Sequence, residues 1–289
     1  MDTAACSTAV RGAVASIQPA SLVDARAPDA PRPDAPAPGT LVPATCAFCG
    51  DDDGVPVAVG TNFADPADAA SYLVLRCRRC HLFYLNPRPA PGRVRDGGAA
   101  AAERVRGWLR TRPRELPPGG DVLAMDGAAG AAAAGAYDVA LFAGTLERYD
   151  DPITALVHAR MALRSGGRVV VIAANAGGAA ARLFAGRHWA GYDFPHGRFF
   201  FDARTLRAAA SRAGLAVERL VVRYDGRCWA GSLEYLLADV GGPPHPADRV
   251  RATHPAARAA LRALGAALDA AATLVGRGAR LEATLRPSV

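Results

Sequence analysis

The spacing of apolar and polar residues in the second half of the chain predicts strands that alternate with helices. Residues 137–143 are an apolar run of strand length. Asp150-Asp151-Pro152 follows, which is typical of a helix N-terminus because it supplies a capping acceptor and a proline for the first turn. We expect that helix to end at Ser165-Gly166-Gly167, and residues 168–173 to form a second buried strand parallel to the first.

The pattern continues toward the C-terminus. Asp202 is the expected N-cap of a helix that runs to Arg212. Residues 216–223 and 279–285 have strand character, and residues 255–275 have the period of a long helix. Two late strands around one helix indicate an antiparallel edge added to a parallel sheet, so the fold class is α/β.

The first part of the chain has a different texture. Residues 1–42 are a low-complexity tail rich in Ala, Pro and Asp, which we expect to be disordered. Residues 43–89 combine paired cysteines with short strand-like runs and predict a small zinc ribbon. Residues 90–120 are rich in Gly, Pro and Arg and predict a linker, so the α/β domain is expected at residues 121–289.

Four cysteines give the strongest chemical signal. Cys46 and Cys49 form one C-x-x-C pair and Cys77 and Cys80 form another, with 27 residues between the pairs. Four thiolates suit a closed tetrahedral zinc site, whose role is structural because no position is left for water or substrate. Four buried or redox-active thiols are the alternative interpretation. His81 is an alternative ligand to Cys80, but the regular spacing favours the cysteine.

Composition narrows the classes of partner. The 289 residues include 34 lysine and arginine against 27 acidic side chains, which gives a formal charge of +7. All 34 of these cationic residues are arginine, and they are scattered along the chain, which disfavours a nucleic-acid partner. The sequence shows neither a secretory signal nor an apolar span of about 20 residues, so we expect a cytoplasmic protein with no membrane contact.

The segment CRRCHLFYLNPRP at residues 77–89 resembles the end of the zinc ribbon that precedes the catalytic domain in a family of class I S-adenosylmethionine-dependent methyltransferases. Later segments are similar to the same family and follow in the same order. They are YDVALF at residues 137–142 with Leu146-Glu147, LRSGGRVV at residues 163–170, and FDARTL at residues 201–206. The resemblance implies a Rossmann-like sheet and methyl transfer from S-adenosylmethionine to a small-molecule acceptor.

The resemblance also implies a glycine-rich cofactor loop after the first strand and a ribose-binding acid after the second. Only 47 residues separate the ribbon from the fourth-strand region, too few for two complete βαβ units beside a linker. Asp126, Gly127 and Gly130, after the strand-like residues 122–125, are the best candidate loop. An equally good interpretation makes residues 122–125 the third strand. Either way, we predict a shortened sheet whose cofactor loop is missing or degenerate.

The candidate catalytic residues also follow from the resemblance. Members of the family carry a histidine after the Leu-Glu pair and an Arg-His pair near an aromatic cluster. This chain has Arg148 at the first place and Pro195-His196-Gly197-Arg198 at the second. The expected general base is therefore His196 or Glu147. The alternatives are a histidine in a surface loop and a carboxylate that only caps a strand end.

One stretch is dense in aromatic residues. Its members are Trp189, Tyr192, Phe194, Phe199, Phe200 and Phe201. Such a stretch predicts either an acceptor pocket lined by ring faces or a layer of the core.

Two functions remain open on the sequence alone. The first is an S-adenosylmethionine-dependent methyltransferase with a structural zinc ion and a small-molecule acceptor. The second is a catalytically degenerate zinc-ribbon protein that docks to a partner protein or to another copy of itself. Lost strands favour the second function because they expose sheet edges and apolar surface.

Overall fold

Two larger β-sheets organise the chain in the computed structural model. The structure describes residues 40–63, 65, 67–68, 70–90, 106–108, 110, 120–125, 133–240 and 246–288. The strands in this part are β1 (Leu41–Val42), β2 (Gly54–Thr61), β3 (Ser71–Cys77), β4 (Phe83–Leu85), β5 (Arg88–Pro89), β6 (Val122–Ala124), β7 (Tyr137–Ala143), β8 (Leu163–Ala174), β9 (Phe199–Phe200), β10 (Leu215–Arg223) and β11 (Arg280–Pro287). The helices are α1 (Pro152–Ala162), α2 (Ala179–Leu183), α3 (Ala203–Arg212), α4 (Gly226–Val240), α5 (Pro246–Ala252) and α6 (Pro255–Leu274).

Capping residues fix where the two central helices begin. The Asp151 side chain accepts hydrogen bonds from the amides of Ile153 and Thr154, so α1 starts at the proline between them and the cap. Asp202 and Thr205 form a reciprocal capping box at the start of α3. Both helix starts confirm the sequence prediction.

The end of α1 departs from the prediction. The helix stops at Ala162, before the glycine pair that was expected to end it. The amides of Gly135 and Ala136, in the loop before β7, donate to the carbonyls of Met161 and Ala162. These long-range hydrogen bonds satisfy the last carbonyls of the helix, and β8 then begins directly beside the first residue of β7.

The five-stranded sheet of the described residues has the order β10-β11-β8-β7-β6. Strands β6, β7 and β8 are parallel, whereas β11 is antiparallel to both β8 and β10. The antiparallel edge confirms the expectation from the two late strands. This mixed sheet confirms the predicted α/β fold class, and in the described part of the chain one parallel strand lies beyond β7.

Alternate side chains of β7 and β8 enter two different core layers. Ala140, Phe142 and Val171 pack with the apolar faces of α1 and α3. Val139 and Leu141 pack on the opposite face against Trp108, which is buried in the short helical piece at residues 106–108. Residues 91–105, 109 and 111–119 of the expected linker lie outside the described residues.

The four-stranded sheet joins the two parts of the chain. Its strand order is β2-β3-β4-β9, and β9 lies in the aromatic stretch, far along the chain from β4. Phe83 of β4 pairs with Phe200, and Tyr84 pairs with Phe199. The sheet that contains Cys77 is thus hydrogen-bonded, through β4, to a strand from the later part of the chain.

The boundary of the expected tail is displaced. Residues 1–39 lie outside the described residues, but Leu41–Val42 form a strand that pairs antiparallel with Arg88–Pro89. The amide of Ala90 also donates to the carbonyl of Thr40 at 3.1 Å. Regular structure therefore begins before residue 43, because residues 88–90 at the end of the ribbon provide hydrogen-bond partners for the backbone of residues 40–42. None of the helices in the described part is long and apolar enough to span a bilayer.

Candidate metal centre and candidate cofactor edge

Two turns bring the four predicted ligands together. Cys46 and Cys49 lie in the turn before β2, Cys77 ends β3, and Cys80 lies in the turn that leads into β4. The Sγ–Sγ distances are 3.2 Å for Cys46–Cys80, 3.5 Å for Cys49–Cys77 and 3.8 Å for Cys49–Cys80. All four sulfur atoms lie within 4.8 Å of one another.

This geometry fits a tetrahedral metal ion. Four Zn–S bonds of about 2.3 Å impose sulfur separations of roughly 3.8 Å, close to those observed. Cys46 and Cys77 are fully buried. Burial raises the pKa of the Cys46 thiol, because a thiolate without a compensating charge is costly there. His81 has a left-handed backbone, with φ of 65°, directly after Cys80, and it is not in the cluster of the described residues.

The cysteine cluster packs directly on the α/β domain. Cys46 and Cys77 belong to the same buried cluster as Phe199 and Phe201. Between the first two cysteines, the ring of Phe48 lies under the guanidinium of Arg212 at the end of α3, 4.8 Å from the ring centroid. Folding of the ribbon is therefore coupled to the packing of α3 and of the sheet beneath it.

The carboxyl ends of β6, β7 and β8 meet at one edge of the large sheet. In doubly wound sheets the first strand lies beside the fourth, and ligands bind outside the carboxyl ends of the strands at this point. β6 lies beside β7, so it occupies the position of a first strand and not of a third. The hydroxyl of Thr145 donates to the carbonyl of Met125 and ties the ends of β6 and β7 together. Asp126, Gly127 and Gly130 lie outside the described residues.

Glu147 lies at this same edge. It follows β7 in a short 3-10 turn and is 8% exposed. Its Oε1 accepts a hydrogen bond from the amide of Ala174 at 3.0 Å, and its carbonyl accepts one from the amide of Arg198 at 2.8 Å. Glu147 thus connects the ends of β7 and β8 with the segment that contains His196.

His196 lies in a tight turn two residues before Arg198. Its amide donates to the carbonyl of Asp193 at 2.8 Å, and the residue is partly exposed. The hydrogen bond from the Arg198 amide to the Glu147 carbonyl holds this turn next to the carboxyl edge. The two candidate catalytic residues therefore belong to adjoining segments of the fold.

A sequence model described as a methyltransferase domain matches residues 64–220, more than half of the chain. The chain belongs to the methyltransferase family. No curated protein sequence matches it.

Three solved structures are similar over part of their length. The [4+2]-cyclase SpnF is 20% identical, with 54% of this chain and 51% of that chain covered and a TM-score of 0.31. A sarcosine dimethylglycine methyltransferase-like protein from Galdieria sulphuraria is 12% identical, with 54% of each chain covered and a TM-score of 0.30. A methyltransferase-like protein from Bacillus halodurans C-125 is 12% identical, with 57% of this chain and 76% of that chain covered and a TM-score of 0.33. This methyltransferase-family chain spans about half the length of the first two.

Arg198 is a site residue that the sequence did not single out. It is 1% exposed, and its Nη1 lies 2.9 Å from the carbonyl of Pro89 and 2.8 Å from Asp150 Oδ1. Burial lowers the pKa of its guanidinium, and the Asp150 carboxylate acts in the opposite direction. The signal was an arginine directly before Phe199-Phe200-Phe201, in a run that is otherwise apolar. In this methyltransferase-family fold, Arg198 fastens the end of the ribbon to the turn after β7.

The aromatic stretch is a core layer. Its six members, Trp189, Tyr192, Phe194, Phe199, Phe200 and Phe201, are each at most 8% exposed. Tyr192 stacks on Phe194 at 5.1 Å between centroids and meets the edge of Phe200 at 5.2 Å. Four of the rings pack in the cluster that joins the four-stranded sheet to α2 and α4, whereas Phe199 and Phe201 pack in the cluster with α1 and α3. This burial supports the core interpretation of the stretch over the acceptor-pocket interpretation.

Proposed function

We propose that this methyltransferase-family chain binds S-adenosylmethionine at the carboxyl edge of β6 and β7 and transfers its methyl group to a small-molecule acceptor. The observation that carries the proposal is the position of β6 beside β7. In doubly wound sheets the cofactor loop follows the strand at this position, and here Asp126, Gly127 and Gly130 follow β6.

The bound cofactor would supply a methyl group on a sulfonium, which an oxygen, nitrogen or carbon nucleophile of the acceptor displaces in line. Positioning is the main task of the protein in such a displacement. Thr145 holds the ends of β6 and β7 together, and Glu147 holds β7 to β8. These two residues would therefore keep the floor of the cofactor site rigid.

His196 is the proposed proton acceptor for the acceptor nucleophile. His196 is partly exposed next to the carboxyl edge of the large sheet. The Glu147 carboxylate, in contrast, is buried and already accepts a backbone hydrogen bond. Glu147 is accordingly the proposed positioning residue of the pair. Replacement by His196→Gln should leave cofactor affinity unchanged and slow formation of S-adenosylhomocysteine about 100-fold or more in an acceptor screen.

Cys46, Cys49, Cys77 and Cys80 are the proposed ligands of one structural zinc ion. The spacing of the four sulfur atoms and the chemistry of four thiolates support zinc. A site with four protein ligands leaves no position for substrate, so we assign the ion no part in methyl transfer.

Isothermal titration of S-adenosylmethionine into zinc-loaded protein tests the cofactor site. We expect one-to-one binding in the micromolar range. Thr145→Val should weaken it about tenfold, because the hydrogen bond to the Met125 carbonyl is lost. Thr253→Val is the matched control, since it removes a hydroxyl that bonds a carbonyl of α5 before the start of α6, at the end of α6 remote from β8. Absence of heat at millimolar cofactor, with folding confirmed by circular dichroism, would overturn the proposal.

A further inference from the structure

Helix α6 presents most of its surface to solvent. Only Gly265, Asp269 and Ala272 of its 20 residues are buried. Asp269 accepts a hydrogen bond from Trp229 Nε1 of α4 at 3.0 Å and another from the amide of Ala279, just before β11, at 2.9 Å. The helix is thus anchored by one face, and most of its remaining side chains are exposed.

An apolar stripe runs along α6 and its C-cap, beside the anchored face. Its members are Ala257, Leu261, Leu264, Leu268, Ala271 and Val275. Leu264 is 49% exposed, Leu268 36% and Val275 71%. The spacing alternates between four and three residues, which is the repeat of a helix that packs lengthwise against another helix.

The stripe is complementary to itself in an antiparallel arrangement. When the axis of symmetry passes through position 266, Leu264 lies opposite Leu268 of a second helix. Leu261 then lies opposite Ala271, and Ala257 lies opposite Val275, so each large side chain at the ends meets a small one. A parallel pair would instead place Ala257 opposite itself and leave a void. Self-complementarity of this kind is what a two-fold interface requires.

A groove beside the stripe receives the ends of such a pair. It has a volume of about 590 Å³ and lies between α4, α5 and α6, and the stripe residues Ala257, Leu261 and Leu264 form part of its lining. In the antiparallel arrangement, Val275 of the second copy comes next to this groove. Val275 is 71% exposed and Leu237 is 61% exposed, so both would be shielded from water.

The available area matches the requirement of a dimer. Helix α6 has 20 residues and is about 30 Å long, and its neighbour α4 has 15 residues and is about 22 Å long. With a width of about 10 Å for each helix, the two offer roughly 500 Å² per copy and about 1,000 Å² in a dimer, which is the area that a specific interface should reach.

We propose that the stripe on α6 and the groove beside it form the interface of a homodimer in which two α6 helices pair antiparallel. The occupant is a second copy of this chain because both the spacing and the sizes of the stripe are complementary to the stripe itself. The proposal does not depend on cofactor binding.

Sedimentation equilibrium of the full, zinc-loaded chain between about 1 and 100 μM tests the dimer. We expect a monomer–dimer equilibrium in this range, and Leu264→Asp should weaken it at least 100-fold because the charge would lie at the centre of the interface. Met161→Asp on α1 is the control, since Met161 is an apolar helix residue of 58% exposure and α1 packs in a core cluster that contains no residue of α6. A monomer at every concentration, or equal loss in the control, would overturn the proposal.

An exchange of sizes distinguishes self-pairing from a general apolar patch. Leu261→Ala and Ala271→Leu should each weaken the dimer at least tenfold, the first by a void and the second by a clash. The double variant restores a large residue opposite a small one and should recover affinity to within about threefold of the parent. Failure of the double variant to recover, with all variants folded, contradicts the antiparallel pairing.

Discussion

The cysteine centre and the carboxyl edge of the large sheet are built in different ways. The four cysteines come from two short turns, and their spacing alone predicted the cluster. The edge is assembled from the ends of three strands that only the sheet brings together, with Thr145 and Glu147 as the ties between them. Each cysteine pair is positioned by its own turn, whereas the edge depends on the order of the strands in the sheet.

Removal of one ligand of the proposed zinc ion has the largest expected effect, and it tests the contrast between the two sites. Cys77→Ser should lower the melting temperature by more than about 10 °C, because binding energy of the metal is folding energy of the ribbon. Both sheets should unfold together, since Cys77 shares a core cluster with Phe199 and Phe201. Circular dichroism and hydrogen exchange follow the two sheets. Cys228→Ser, outside the cluster, is the control and should change the melting temperature by only a few degrees. Unfolding of the ribbon alone would show that the coupling is wrong.

Removal of Arg198 addresses the connection between the two regions. Arg198→Ala should reduce the free energy of unfolding by about 2 kcal/mol, because the partly buried carbonyl of Pro89 and the Asp150 carboxylate lose the guanidinium that they contact. Urea denaturation measures the change. Arg207→Ala removes an exposed arginine that bonds a helix carbonyl and should cost less than about 0.5 kcal/mol. Equal effects of the two substitutions would refute the role of Arg198 as a fastener.

Two variants of Glu147 separate its acceptor function from its charge. Glu147→Gln keeps an oxygen for the Ala174 amide, whereas Glu147→Ala leaves that amide without its acceptor. We expect a loss of about 1–2 kcal/mol for the alanine variant and less for the glutamine variant. Urea denaturation of both variants measures the two free energies of unfolding. If glutamine is as destabilising as alanine, the tie between β7 and β8 is not what stabilises the edge.

Alkaline pH produces the smallest effect. Burial raises the pKa of Tyr84 in the ribbon sheet and of Tyr192 in the aromatic layer to about 12. Between pH 10 and 12 the unfolded chain releases these protons and the native chain retains them, so stability falls as pH rises, by at most about 1.4 kcal/mol per pH unit for each tyrosine. Tyr84→Phe and Tyr192→Phe should each make the decline shallower in denaturation series at pH 9 to 11. An unchanged slope in both would contradict the assignment.

Local signals in the sequence located most of the elements near the site. The strand at Tyr137–Ala143, the caps Asp151 and Asp202, and the late antiparallel strands all follow from residues adjacent in sequence. The helices α4 and α5 were not predicted. Helix α4 begins with glycine and is stabilised by contacts with α6, including the approach of Gly265 to the Ala230 amide, so its signal lies in another part of the chain.

The sequence by itself determined the cysteine centre, the capped helices and the buried strands, because thiolate spacing, capping and apolar runs act over a few residues. Only the tertiary structure decided that β6 lies beside β7, that β9 extends the ribbon sheet, and that Arg198 fastens the two parts. Strand order and buried ion pairs join residues that are distant along the chain. Their energies depend on burial and partners, which no local pattern contains.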